Sequence, residues 1–213
     1  MKYMKENRIS TSVIKRLPRY HRFLGELKKQ NITRISSGEL ASIMKVTASQ
    51  IRQDLNCFGG FGQQGYGYNI DSLYEEIGNI LGFNVTTDAI IVGVGKLGLA
   101  VAQNMNFKKV GFRLVGAFDN NPEVIGTTAS ELTVLHIDKL EEFCLENKPQ
   151  VAILCVPTSA AKDLAEHLVN LGIKGFWNFT HFDITLLHPE VSVENVHLND
   201  TLARLSYKIK NNK

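Results

Sequence analysis

The 213-residue sequence has little of what staples a fold or holds a metal. Its three cysteines, Cys57, Cys144 and Cys155, stand far apart. So sparse and odd a set argues against a disulfide framework and for a reducing compartment, the cytoplasm. The six histidines are scattered, without metal-ligand spacing. No apolar run approaches the roughly 20 residues that cross a bilayer, so no membrane is expected as a partner. The N-terminal stretch MKYMKENRISTSVIKRLPRY is positively charged but has no apolar core behind it, and no secretory signal is read there. Internal repeats and low-complexity tracts are missing as well.

What is present is an ordinary globular composition, 44% apolar and 21% charged, with the charge unevenly divided. Residues 1–65 hold 12 Lys/Arg and 4 Asp/Glu, a balance of +8, and residues 66–213 hold 12 and 17, a balance of −5. A basic first third on an acidic remainder fits a module that faces a polyanion, and equally a solvated helical surface.

The first third reads as helices followed by a hairpin. Over 11–30, Val13, Leu17, Tyr20, Leu24 and Leu27 recur at helical spacing, and Pro18 either starts or kinks that helix. Ser36 and Glu39 form a capping box ahead of Leu40, Ile43 and Met44. A third helix, TASQIRQDLNCFG at 47–59, opens on a second capping box, Thr47 with Gln50. Its core face is Ile51, Leu55 and Phe58, and Ser49, Gln50, Arg52 and Gln53 lie on or beside the outer face. GGFGQQGYGYN, 59–69, holds five glycines and three aromatics in eleven residues, a hairpin signal. The order fits a winged helix-turn-helix with the last helix in the major groove. A further helix over 71–82 stops at Gly82, and the domain boundary falls at about 84.

From Thr86 strands and helices alternate. Strands are expected at DAIIVGV, RLVGAFD, near TVLHI, QVAILCV, GFWNF and VENVHL. Helices are expected at 96–104, DKLEEFCLEN, SAAKDLAEHLVNLG and 199–210. The pattern predicts an α/β fold with a doubly wound, Rossmann-like parallel sheet. Gly93, Gly95 and Gly98 form G-x-G-x-x-G between the first strand and its helix. The loop Gly93, Val94, Gly95, Lys96, Leu97, Gly98 is therefore expected to cradle a pyrophosphate at a helix N-terminus. Asp119 ends the second strand, 21 residues past Gly98, where a carboxylate pairs with ribose hydroxyls and selects NAD over NADP. Val156, Pro157 and Thr158, at another strand end, are candidates for the nicotinamide side; Pro157 also reads simply as a helix-start residue. His181 is the one tempting general base, but no Lys or Arg beside it clamps a substrate, so no catalytic residue and no metal ligand is assigned.

Together these motifs resemble the Rex family of bacterial redox-sensing transcriptional repressors over nearly the whole chain. IKRLPRYHRFL, SSGELA, TASQIRQDL and GYGYN are similar to its winged helix; IIVGVGKLG, AFDNNPEVIGT, VAILCVP and GIKGFWNFT to its Rossmann half; VENVHLNDTLARLSY to its C-terminal helix. The resemblance implies a homodimeric repressor that binds double-stranded operator DNA and releases it on binding NADH. It implies domains at 1–84, 85–198 and 199–213, the last a dimerisation helix swapped between subunits. It also adds Arg16, Gln64 and Tyr66 to Ser49, Gln50, Arg52 and Gln53 as DNA-binding candidates. The chain departs from the family pattern at Gln53 and Gln64, where basic residues are frequent, and at His197, where some relatives carry aspartate. Fewer basic contacts imply a shallower salt dependence. Two other readings stay open: a small NAD-dependent dehydrogenase, and a CoA-binding protein, each with a basic accessory domain.

Overall fold

The computed structural model describes residues 9–59, 62–63 and 66–211. The chain divides into two compact units between Asn84 and Val85.

In the first unit, α1 (Thr11–Ile14) and α2 (Leu17–Lys29) are separate helices. The break falls at Lys15–Arg16, and Pro18 sits in the first turn of α2, where its missing N–H costs nothing. After β1 (Arg34–Ile35) come α3 (Ser37–Met44) and α4 (Ala48–Asn56). The hairpin β2 (Gly62–Gln63) and β3 (Gly67–Asn69) leads into α5 (Ile70–Ile80). The strands form an antiparallel sheet in the order β1-β3-β2. The periodicity gave no hint of β1, since two residues are too few to alternate. Gly67 is required where it stands: its φ is +69°, and an added Cβ would lie 2.6 Å from the Ile35 carbonyl oxygen. One core unites the helices through Leu17, Tyr20, Leu24, Leu40, Ile51 and Ile77, all fully buried, and takes in the strands through Ile35 of β1 and Tyr68 of β3.

The second unit is a seven-stranded sheet in the order β10-β9-β8-β4-β5-β7-β6. Its strands are β4 (Thr87–Val92), β5 (Phe112–Asp119), β6 (Thr128–Ala129), β7 (Leu132–His136), β8 (Val151–Leu154), β9 (Gly175–Asn178) and β10 (Ser192–Asn195). All pairs are parallel except β6 with β7, an edge hairpin that the sequence pattern had not suggested. The helices are α6 (Lys96–Asn104), α7 (Leu140–Asn147), α8 (Thr158–Asn170) and α9 (Leu198–Asn211). Ile90 and Val92 pack with α7 and α8 on one face, while Ile91 packs with α6 on the other. That alternation marks a sheet buried on both sides. Beyond α6 its face carries an apolar groove of about 390 Å³ lined by Met105, Phe107, Val151, Ile153 and Trp177. Among the described residues no helix is long and apolar enough to cross a membrane.

His21 on α2 stacks on Tyr74 at 3.9 Å between ring centroids and meets Phe83 edge-on at 4.9 Å. Burial holds its pKa below the ordinary 6.5. The folded unit thus favours the neutral ring, and the unfolded chain takes up protons first as pH falls. Stability is full above about pH 6.5 and is lost as pH falls through the folded-state value. Between about pH 7.5 and about pH 5.5 the free energy of opening at α2 and α5 amides, measured by hydrogen exchange, is expected to fall, and to fall less in His21→Phe, which keeps the ring stack.

Candidate functional site

The strand order reverses at β4, so chain departs from the carboxyl ends of β4 and β8 toward opposite faces and leaves a crevice between. Gly93, with φ +90°, turns out of β4 so tightly that an added Cβ would sit 2.6 Å from the Cys155 carbonyl oxygen. Gly98 is buried, and an added Cβ there would overlap the Gly93 carbonyl. At Gly95 an added Cβ meets nothing within 4 Å; this is the open side of the loop. The three glycines thus divide their work as turn, approach surface and helix packing. Val94 is buried, and Lys96 and Leu97 are exposed on the first turn of α6. Neither α6, capped by Gly95, nor α8, capped by Pro157, has a side-chain cap. Two helix N-termini therefore begin at the crevice with free N–H groups, an arrangement that suits phosphate.

Asp119 ends β5 beside the loop. Its Oδ2 accepts from the Val94 N–H and its Oδ1 accepts from the Asn121 N–H at 2.8 Å. It therefore shapes the loop itself, and each oxygen keeps a further lone pair for a hydroxyl. Val156 is half-buried, and Pro157 and Thr158 are exposed at the start of α8. Cys155 lies between the two loops, and burial pushes its thiol up to about 12, so it stays protonated. His181 follows β9 and stacks on His197 at 5.6 Å between ring centroids; His197 in turn lies 3.6 Å from Asp200 at the start of α9. Among the described residues no group of three or more His, Cys, Asp or Glu is placed to hold a metal.

In the first unit α3 and α4 form the helix pair. The Ser36–Glu39 capping box is complete. The expected Thr47–Gln50 box is only half formed: Thr47 Oγ1 accepts from the Gln50 N–H, but the Gln50 side chain donates instead to Asp54 at 2.7 Å. The charge-assisted bond from Gln50 Nε2 to ionised Asp54, one turn along, outcompetes acceptance by Oε1 from the Thr47 N–H. Ser49, Arg52 and Gln53 are exposed, and Arg52 donates to Ser37 Oγ at 3.0 Å, within reach of solvent. Tyr66 is exposed at the wing, its carbonyl accepting from Arg34 at 3.1 Å. Gln64 lies outside the described residues.

Arg16 is not a free cation. Its Nε and Nη2 grip the Asp54 carboxylate at 2.6 and 2.7 Å, and the Tyr20 hydroxyl donates to the same group at 2.6 Å. Asp54 is 1% exposed. Burial alone would push its carboxyl up; the hydrogen bonds from Arg16, Tyr20 and Gln50 and the Arg16 charge outweigh that, and it titrates below its usual range. Burial and the bond to Asp54 raise the Tyr20 hydroxyl. Arg19 donates to the Met44 carbonyl at 2.6 Å, a cation set on the C-terminal end of α3. Sequence reasoning missed Asp54, Tyr20, Arg19 and Arg34. Asp54 and Arg16 are 38 residues apart, and only the polar position of Asp54 beside the Ile51/Leu55 core face hinted at burial.

Two family models match the chain: "Putative DNA-binding protein N-terminus" over residues 8–56 and "CoA binding domain" over residues 84–182. The chain is 49% identical over 205 residues to the redox-sensing transcriptional repressor Rex of Thermoanaerobacter pseudethanolicus, covering 96% of this chain and 91% of that one. It is 50% identical over 206 residues to the Rex of Clostridioides difficile, covering 96% and 97%. Among solved structures it is similar to RSP in complex with NAD+ and operator DNA, at 47% identity and TM-score 0.88, covering 99% of this chain and 95% of that one. RSP in complex with NADH matches at 45% identity and TM-score 0.88, covering 97% of each chain. With half its residues identical over nearly full length to these relatives, and with both the helix pair and the glycine-loop crevice in place, the chain belongs to the Rex family of redox-sensing transcriptional repressors.

Proposed function

We propose that this chain is a transcriptional repressor, not an enzyme, that binds operator DNA as a homodimer and releases it when NADH occupies the crevice. The observation that carries the reading is the joining, in one chain, of a winged helix with exposed polar residues on α4 to a crevice bounded by Gly93, Gly95, Gly98 and Asp119. The solved relative RSP is described with operator DNA, NAD+ and NADH. The working compartment is the cytoplasm, which the three free cysteines fit.

In this reading the pyrophosphate of NAD(H) lies on the 93–98 loop, Asp119 takes the adenosine ribose, and Val156, Pro157 and Thr158 border the nicotinamide. Ser49, Gln50, Arg52 and Gln53 face the major groove, Gln64 and Tyr66 belong to the wing, and Arg16 acts through α4 by way of Asp54. The C-terminal helix supports a swapped dimer: no residue of α9 is buried, and Leu198, Leu202, Leu205 and Ile209 form an apolar stripe each at least 52% exposed. Such a stripe needs cover. By family likeness it crosses to the partner and wedges between that subunit's two domains. There NADH shifts a two-state equilibrium by binding one domain arrangement better.

Three outcomes test this. A carboxylate at Asp119 repels a 2′-phosphate, so NADH is expected to bind about tenfold or more tighter than NADPH in a fluorescence titration. Equal affinities would remove Asp119 from the ribose, and CoA competing at comparable affinity would favour the CoA reading that the second family description suggests. Arg52→Ala is expected to weaken operator binding about tenfold or more with NADH affinity unchanged; wild-type DNA affinity would sink the assignment. Deleting residues 199–213 is expected to give monomers by light scattering that no longer lose DNA on adding NADH. A truncated dimer that still responds would rule out coupling through α9.

A further inference from the structure

The Asp54 carboxylate is buried in the last turn of α4, a helix whose outer face is polar. A carboxylate there is costly unless every lone pair finds a donor. Here four donors converge on two oxygens. Oδ1 accepts from Arg16 Nη2 and Gln50 Nε2, each at 2.7 Å, and Oδ2 accepts from Arg16 Nε and the Tyr20 hydroxyl, each at 2.6 Å. Arg16 is the N-cap residue of α2, and Tyr20 is one turn on. The carboxylate thus clamps the start of α2 to α4.

The fourth bond has a separate consequence. Gln50 is in the first turn of α4 and half-exposed, while Asp54 is one turn along on the same side. An ionised carboxylate only accepts, so it admits the amide in one orientation, Nε2 inward. That leaves Oε1 and the second N–H of Gln50 available outward. An acceptor beside a donor is the pattern that pairs with the N6 and N7 edge of adenine in the major groove. An amide free to flip would exchange the two and blur the preference.

We propose that Asp54 is a specificity-determining positioning residue, whose buried carboxylate fixes the Gln50 amide in the one orientation that reads an adenine edge. The proposal rests on the reading of α4 as the helix that enters the major groove. Asp54 touches no base. It acts through Gln50, with Arg16 and Tyr20 supplying the donors that keep it ionised and still.

The test uses the full-length protein and a panel of operators with each base pair replaced in turn. Wild type is expected to disfavour replacement at one A·T pair by about tenfold or more. Gln50→Met, which removes a half-exposed amide and leaves Asp54 its three bonds from Arg16 and Tyr20, is expected to lose that preference and keep the others. Replacing the network as a whole, Arg16→Met with Tyr20→Phe and Asp54→Leu, leaves no unpaired buried charge and is expected to fold. It is expected to lose the same preference while Gln50 is still present, and adding Gln50→Met to it should cost nothing further. A folded network variant with wild-type base preference, or losses that simply add, would overturn the proposal, as would Gln50→Met with an unchanged profile even if the network variant failed to fold. Wild type that prefers operator no more than random DNA would instead overturn the reading of α4 itself, and the proposal with it.

Discussion

The close approach of two strand-end loops sets the second unit. β4 and β8 are neighbours, and the chain leaves them in opposite directions, so the Gly93 backbone presses on the Cys155 carbonyl. Only glycine tolerates that contact at φ +90°. Given it, α6 starts within reach of the β5 carboxyl end, and Asp119 ties the loop down through the Val94 amide. A single carboxylate thereby shapes the glycine loop, and in the proposed reading it also takes the ribose. The crevice is pre-formed by packing, which limits the ordering cost of a ligand.

The first unit depends on a different carboxylate. Asp54 holds α2 and α4 together with a buried, saturated charge, so the outer face of α4 is presented by a rigid element. Removing one partner of such a cluster leaves the others unpaired in a dry interior. Besides these two pre-organised sites the chain has one element with no cover of its own, α9, whose apolar stripe is bare. Two rigid sites and one helix in search of a surface are the parts that a ligand-driven switch needs, because coupling requires an element with two arrangements that both sites bias.

Much of this was legible in the sequence, for physical reasons. Continuous apolar runs marked β4, β5 and β8 because parallel strands buried on both faces leave no polar alternation. The glycine spacing gave the loop, because the close approach leaves no choice of residue. The Ser36–Glu39 box was legible because capping is local. What stayed hidden is what depends on distant partners. Gln50 fits a capping box by spacing, yet its amide goes to Asp54, and Arg16 looks like a free basic residue until Asp54 is brought to it across 38 positions. β1 and β6 are two residues each, too short for any period, and exist because β3 and β7 offer edges to pair with.

In the proposed mechanism NADH and operator DNA oppose one another through one equilibrium. The direct measurement is a pair of titrations on the full-length protein: NADH with and without saturating operator, and operator with and without saturating NADH. Linkage requires one coupling factor in both directions. Operator is expected to weaken NADH binding by the same factor by which NADH weakens operator binding. An NADH dissociation constant unchanged by operator would contradict it.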